Sequence, residues 1–97
     1  MITVIAKNYI QENKVYYMLE LCNQLIEETR KEKGCISYEL FRNKDNINEF
    51  TFIEQWDSIE SLKYHMESHH FEEIIPRIQS ISYKQSEVEL YDKYYFK

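Results

Sequence analysis

The chain has one glycine and one proline in 97 residues, and that scarcity removes whole classes of chemistry. Phosphate-cradling loops, Walker patterns and dinucleotide fingerprints need several glycines at fixed spacing, because a bare backbone lets phosphates approach its amides closely. With Gly34 alone, bound nucleotide, NAD or flavin is not expected, and a nucleophile elbow is missing as well. Cysteine is also sparse. Cys22 and Cys35 have neither metal-ligand spacing nor disulfide-framework density, so both read as reduced packing residues of a cytoplasmic protein. Twelve Lys+Arg against seventeen Asp+Glu give a net charge of -5 with no basic block, which argues against nucleic acid as a partner. No apolar run approaches membrane-spanning length, so no membrane partner is expected. The opening residues alternate like a strand and carry no charged leader or cleavage site.

What the chain has in excess is rings. Aromatic residues make up 15% of the sequence, and nine of them are tyrosines, whose apolar body and polar edge suit an interface or ligand cavity as well as a core. The length suits a single domain over residues 1–97. A domain this small buries only roughly 60 to 65% of the surface its unfolded chain exposes, so a second copy covering more apolar surface is favoured.

Alternation predicts strands over residues 1–9, 35–42, 49–56 and 82–93. Between the first two, Val15, Met18, Leu19, Cys22, Leu25, Ile26 and Thr29 recur at three- and four-residue steps, the stripe of a long amphipathic helix. Gly34 closes it, by the left-handed conformation that commonly ends helices. Asp57 with Glu60 has capping-box spacing, or Ser58 takes the cap, and the helix so started carries Ile59, Leu62 and Met66. Ser68 interrupts that stripe and starts a second segment with Phe71, Ile74, Ile75 and Ile78, where Pro76 should kink or reset the helix. The order predicts an α+β, ferredoxin-like split β-α-β domain: a four-stranded antiparallel sheet with its helices on one face. Apolar residues on both strand parities predict that the other face is covered too, most simply by another subunit's sheet. The terminal Tyr94-Tyr95-Phe96-Lys97 is expected to pack on that partner.

The chemistry-bearing candidates gather where the third strand runs into the second helix. His65 lies three residues after Leu62 and beside Met66, at the border of the apolar stripe; it is either a proton acceptor titrating near neutrality or a satisfied structural histidine. His69, four residues on, has the spacing to share a metal with His65, but no acidic residue completes a known pattern, so no metal site is assigned; His70 reads as a solvated or interface residue. Trp56 shares strand parity with Phe50, Phe52 and Glu54 and either plugs the sheet end or walls a pocket. Glu54 among rings must find a partner or solvent, or have a raised pKa. Asn8 is a polar residue on a core-facing parity that either pairs with backbone or orients an oxygen-bearing ligand.

Three blocks, Thr29-Arg30-Lys31-Glu32-Lys33-Gly34-Cys35-Ile36-Ser37-Tyr38, then Glu54-Gln55-Trp56-Asp57-Ser58-Ile59-Glu60-Ser61-Leu62, and His65 with Ser68-His69-His70-Phe71, resemble successive blocks of the antibiotic biosynthesis monooxygenase family. The resemblance implies a dimeric α+β barrel. In one branch it implies oxidation of quinols or polycyclic phenols by O₂ with no metal, flavin or other cofactor. Other branches degrade haem or process a signalling sugar. In the haem-degrading pattern, Asn8 matches the first-strand asparagine, but His65 stands where a cavity tryptophan would be and Ile75 where the axial histidine would be. The expectation is therefore a cofactor-free monooxygenase acting on a small electron-rich aromatic with O₂, as a homodimer. His65 is its candidate base, with Asn8 and Trp56 as the other catalytic candidates, and Phe52, Phe71, Glu54 and Met66 line the substrate. The alternatives are a non-catalytic small-molecule-binding or stress-response dimer on the same scaffold, a haem-degrading enzyme in which His69 or His70 substitutes as the iron ligand, or a signalling-sugar-processing enzyme.

Overall fold

The computed structural model describes residues 1–96; Lys97, and the expectation that it packs on a partner, lie outside the described residues. Four strands, β1 (Ile2–Ile10), β2 (Cys35–Arg42), β3 (Glu49–Trp56) and β4 (Ser82–Asp92), alternate with three α-helices, α1 (Val15–Thr29), α2 (Ile59–Met66) and α3 (His69–Ser80), and a short 3-10 turn at Glu12–Lys14 precedes α1. The sheet order is β2-β3-β1-β4 with every pairing antiparallel, the ferredoxin-like α+β arrangement. No helix among the described residues is long and apolar enough to cross a membrane.

Register determines what faces the helices. Val4 pairs with Glu54, Ala6 with Phe52 and Asn8 with Phe50 across β1 and β3, while Tyr38 pairs with Glu54 across β2 and β3. Directly paired residues point to the same side, so Val4, Tyr38, Phe50, Phe52, Glu54 and Trp56 form one buried layer beneath the helices. α1 adds Met18, Leu21, Cys22, Leu25 and Thr29 to this core, and α3 adds Ile74 and Ile78. The opposite face carries Ile5, Ile53, Phe41 and Tyr91, with the last two 51% and 46% exposed. Apolar exposure is not confined to that face. Val88 and Leu90 of β4 pair with Ala6 and Val4 on the helix side, yet they are 56% and 52% exposed because the helices do not reach this sheet edge.

Several local expectations are corrected. Leu21 lies inside α1 and Leu19 is 40% exposed. In α2, Leu62 and His65 point inward while Ile59 and Met66 are exposed, so His65 occupies the centre of the buried stripe rather than its border. α3 runs through Pro76 without a reset; the break falls at Ser68, whose side chain caps α3 by accepting from the Phe71 amide. Of the two caps that the sequence allows for α2, Ser58 takes the role, accepting from the Ser61 amide. Gly34 has no positive φ. Its smallness serves a close approach instead: a Cβ there would lie 2.0 Å from Ser61 Oγ and 2.8 Å from Asp57 Oδ1, so the turn after α1 seats directly on the start of α2. The Asp57 amide donates to the Gly34 carbonyl at 3.0 Å and locks that contact.

Candidate functional site

That seating brings the turn after α1 against both short helices, and three polar side chains meet there. His65, 1% exposed, is enclosed by rings: Trp56 lies 4.6 Å away between centroids, Phe71 5.0 Å and Tyr38 5.4 Å. Its Nδ1 is 2.7 Å from Glu32 Oε2. His70 Nε2 reaches the same oxygen at 2.8 Å. The chain break at Ser68 makes this possible: restarting the helix there turns His70 back toward α2 and sends His69 outward, 92% exposed, to pair with Glu73. Glu32 and His70 keep 17% and 18% of their side-chain surface exposed, so the buried imidazole connects to solvent through them.

Hydrogen bonding fixes how His65 presents itself. A carboxylate oxygen only accepts, so Nδ1 carries the ring proton and donates it to Glu32, which leaves the lone pair on Nε2. Nε2 is buried and has no hydrogen-bond partner among the described residues. Burial lowers the pKa of His65 and outweighs the opposite pull of Glu32, so the neutral imidazole is favoured. Glu54, beneath the same rings, has its carboxyl pushed up to about 7 by burial, partly offset by the Trp56 indole N–H that it accepts at 3.0 Å. Burial also raises the Tyr38 hydroxyl, with Glu54 adding to the effect.

The structure brings His65, Trp56, Glu54 and Phe71 together, with Phe52 one ring removed behind Tyr38 at 5.1 Å. It does not bring Asn8 there. Asn8 pairs with Phe50, six strand positions from Trp56 and so about 20 Å along the sheet, and its amide donates to the Ala6 and Phe50 carbonyls at 3.2 and 3.4 Å. Met66 is 43% exposed and faces away. His70 is not solvated but belongs to the cluster. Glu32 and Tyr38 are the residues that the sequence reading missed, although both stand in the first of the three resembling blocks. The pocket differs as well. The interior beside His65 is filled by rings, and a cleft of about 530 Å³ instead lies outside Glu32, lined also by Lys33, Gly34, Asp57, Ser61 and Tyr64. The Nδ1, Nε2 and carboxylate oxygen of His65, His70 and Glu32 all lie within 4.8 Å of one another, within reach of a shared proton network or of one cation.

A model of the family described as antibiotic biosynthesis monooxygenase matches residues 1–77. The protein sll1783 of Synechocystis is 30% identical over 89 residues, 91% of this chain; the chain spans 60% of that relative's length. Among solved structures, a conserved protein from Methanosarcina mazei superposes with a TM-score of 0.94 at 40% identity, covering 96% of this chain and 92% of its own. A crystal structure described as an antibiotic biosynthesis monooxygenase gives 0.93 at 32% identity, covering 97% and 99%.

Proposed function

This chain belongs to the antibiotic biosynthesis monooxygenase family, and from that premise we propose that it oxidises a quinol or similar electron-rich hydroxyaromatic with O₂, using its own side chains and no cofactor. The observation that carries this reading is the unpartnered Nε2 of His65, a lone pair held by Glu32 and enclosed by Trp56, Tyr38 and Phe71. A base so placed takes the hydroxyl proton of a flat aromatic inserted among the rings, with the half-buried Phe71 moving aside to admit it. The resulting phenolate passes one electron to O₂; radical and superoxide combine at a ring carbon bearing hydrogen, giving a peroxide. Loss of water from that peroxide, with the proton returned by His65, leaves one oxygen atom on the ring as a carbonyl and places the other in water. The substrate supplies all the electrons. Exclusion of water by the rings keeps the radical pair from escaping.

The test is O₂ uptake by metal-stripped protein with a dihydroxynaphthalene. Protein-dependent consumption above autoxidation, with one oxygen atom from ¹⁸O₂ in the product, is expected. Stoichiometric binding without uptake would instead establish a binding module and overturn the oxygenase reading.

The active form is a homodimer built on the sheet face that the helices leave open. The exposed Phe41 and Tyr91 on that face, and Tyr94, Tyr95 and Phe96 at 77%, 71% and 89% exposure, support this. Light scattering at micromolar concentration is expected to give twice the 12.0 kDa chain mass. A stable species of one chain mass would overturn it.

A further inference from the structure

We propose that Glu32, His65 and His70 form a binding site for a divalent cation of the zinc class, and that filling it reverses the hydrogen-bonding sense of His65. The binding claim stands apart from the proposed reaction; only its inhibitory consequence rests on that reading. The donor set is two imidazole nitrogens and one carboxylate oxygen, which zinc and its neighbours favour and which calcium and magnesium, as oxygen-seeking ions, do not.

The three ligand atoms already converge. His65 Nδ1 and His70 Nε2 lie 2.7 and 2.8 Å from Glu32 Oε2. A metal at about 2.0 to 2.2 Å from each ligand in tetrahedral geometry needs ligand atoms roughly 3.3 Å apart. The two contacts to Glu32 must therefore open by about half an ångström, and the two imidazole nitrogens, within 4.8 Å of one another, must settle at the same spacing. The two residues that must give are those able to do so: Glu32 sits in the turn after α1 and His70 in the first turn of α3, both partly exposed. His65, 1% exposed and packed against Trp56 and Tyr38, fixes the metal's position. Three protein ligands leave a fourth position open, and Glu32 borders the cleft through which water or a ligand would reach it.

Coordination has a chemical consequence at the other ring nitrogen. A metal takes the lone pair of Nδ1, so the proton held there moves to Nε2; the neutral ring keeps one proton and no charge is created or lost on it. Nε2 then donates and no longer accepts. A substrate hydroxyl loses its proton acceptor, so the cation inhibits the proposed oxidation instead of assisting it.

The experiment uses the full chain, stripped with chelator and dialysed. Co²⁺ titration followed by visible absorption is expected to saturate at one ion per chain, and Zn²⁺ to displace it. Glu32→Gln and His70→Ala, partly exposed changes that spare the buried ring, are each expected to weaken binding at least tenfold, and His69→Ala to leave it unchanged. Absence of saturable binding, or binding indifferent to Glu32→Gln and His70→Ala, overturns the site. Long-range ¹⁵N–¹H spectra of the imidazoles read the switch without any activity: the Nδ1–H form of His65 in the stripped protein is expected to become the Nε2–H form with Zn²⁺. An unchanged tautomer overturns the reversal. With a turning-over protein, Zn²⁺ is expected to inhibit at the concentration at which it binds; activation by Zn²⁺ overturns the inhibitory role, whereas a protein without turnover refutes the proposed function and leaves the binding and tautomer results to decide the site.

Discussion

Replacing His65 by glutamine is expected to lower O₂ turnover about a hundredfold or more while leaving the fold in place, because the amide can still donate to Glu32 but offers no basic lone pair to a substrate hydroxyl. Alanine is the blunter variant. The side chain is 1% exposed and packed against Trp56, Tyr38 and Phe71, so truncation opens a cavity among rings and strips Glu32 of a donor. A stability loss of about 2 to 4 kcal/mol accompanies the activity loss in that case. Comparing the two variants separates the chemistry from the packing: both lose turnover, but only alanine lowers the unfolding midpoint strongly. If His65→Gln retains wild-type kcat/KM above background autoxidation, His65 is a packing residue and the base lies elsewhere.

Strand positions and the helix order were legible because alternation and the three- to four-residue period are direct consequences of backbone geometry. Depth within a helix was less so. Leu62 has both His65 and Met66 as same-face neighbours, one three residues on and one four, and periodicity cannot choose between them. Tertiary contacts choose: Trp56 offers a ring to stack on and Glu32 offers an acceptor, so the polar residue goes in and the thioether goes out. Leu19 and Leu21 straddle the α1 stripe in the same way. Asn8 shows a different limit. Its parity was read correctly, but parity does not give distance along a strand, and only the register with Phe50 shows that it sits far from His65. Glu32 was out of reach for a third reason: it follows α1, more than thirty residues before His65, and the two meet only because Gly34 lets the turn close onto Ser61 and Asp57. The sequence marked the glycine as special, but for a left-handed conformation it does not have.

Glu54 is expected to make this protein less stable as pH rises from about 4.5 to about 7. Its carboxyl is 5% exposed, and burial pushes its pKa from 4.5 to about 7, with the Trp56 indole N–H offsetting part of that and Glu32 adding to it. In this window the folded chain holds a proton that the unfolded chain has released, so unfolding is favoured increasingly with pH and the loss levels off above the folded value. The shift corresponds to a loss on the order of 3 kcal/mol. His65 works in the opposite sense, since its lowered pKa costs stability as pH falls, and the wild-type curve is the sum of both. Glu54→Gln isolates the carboxyl: the amide oxygen still accepts from Trp56 Nε1, and nothing at that position titrates. Denaturant unfolding at fixed protein concentration is expected to show wild type and Glu54→Gln close together near pH 4.5, with the variant gaining on the wild type up to about pH 7 and holding its lead at pH 8. A stability difference that stays constant from pH 4.5 to 8 would mean that Glu54 ionises in the fold as readily as in the unfolded chain, and that its only role is to anchor the tryptophan beneath His65.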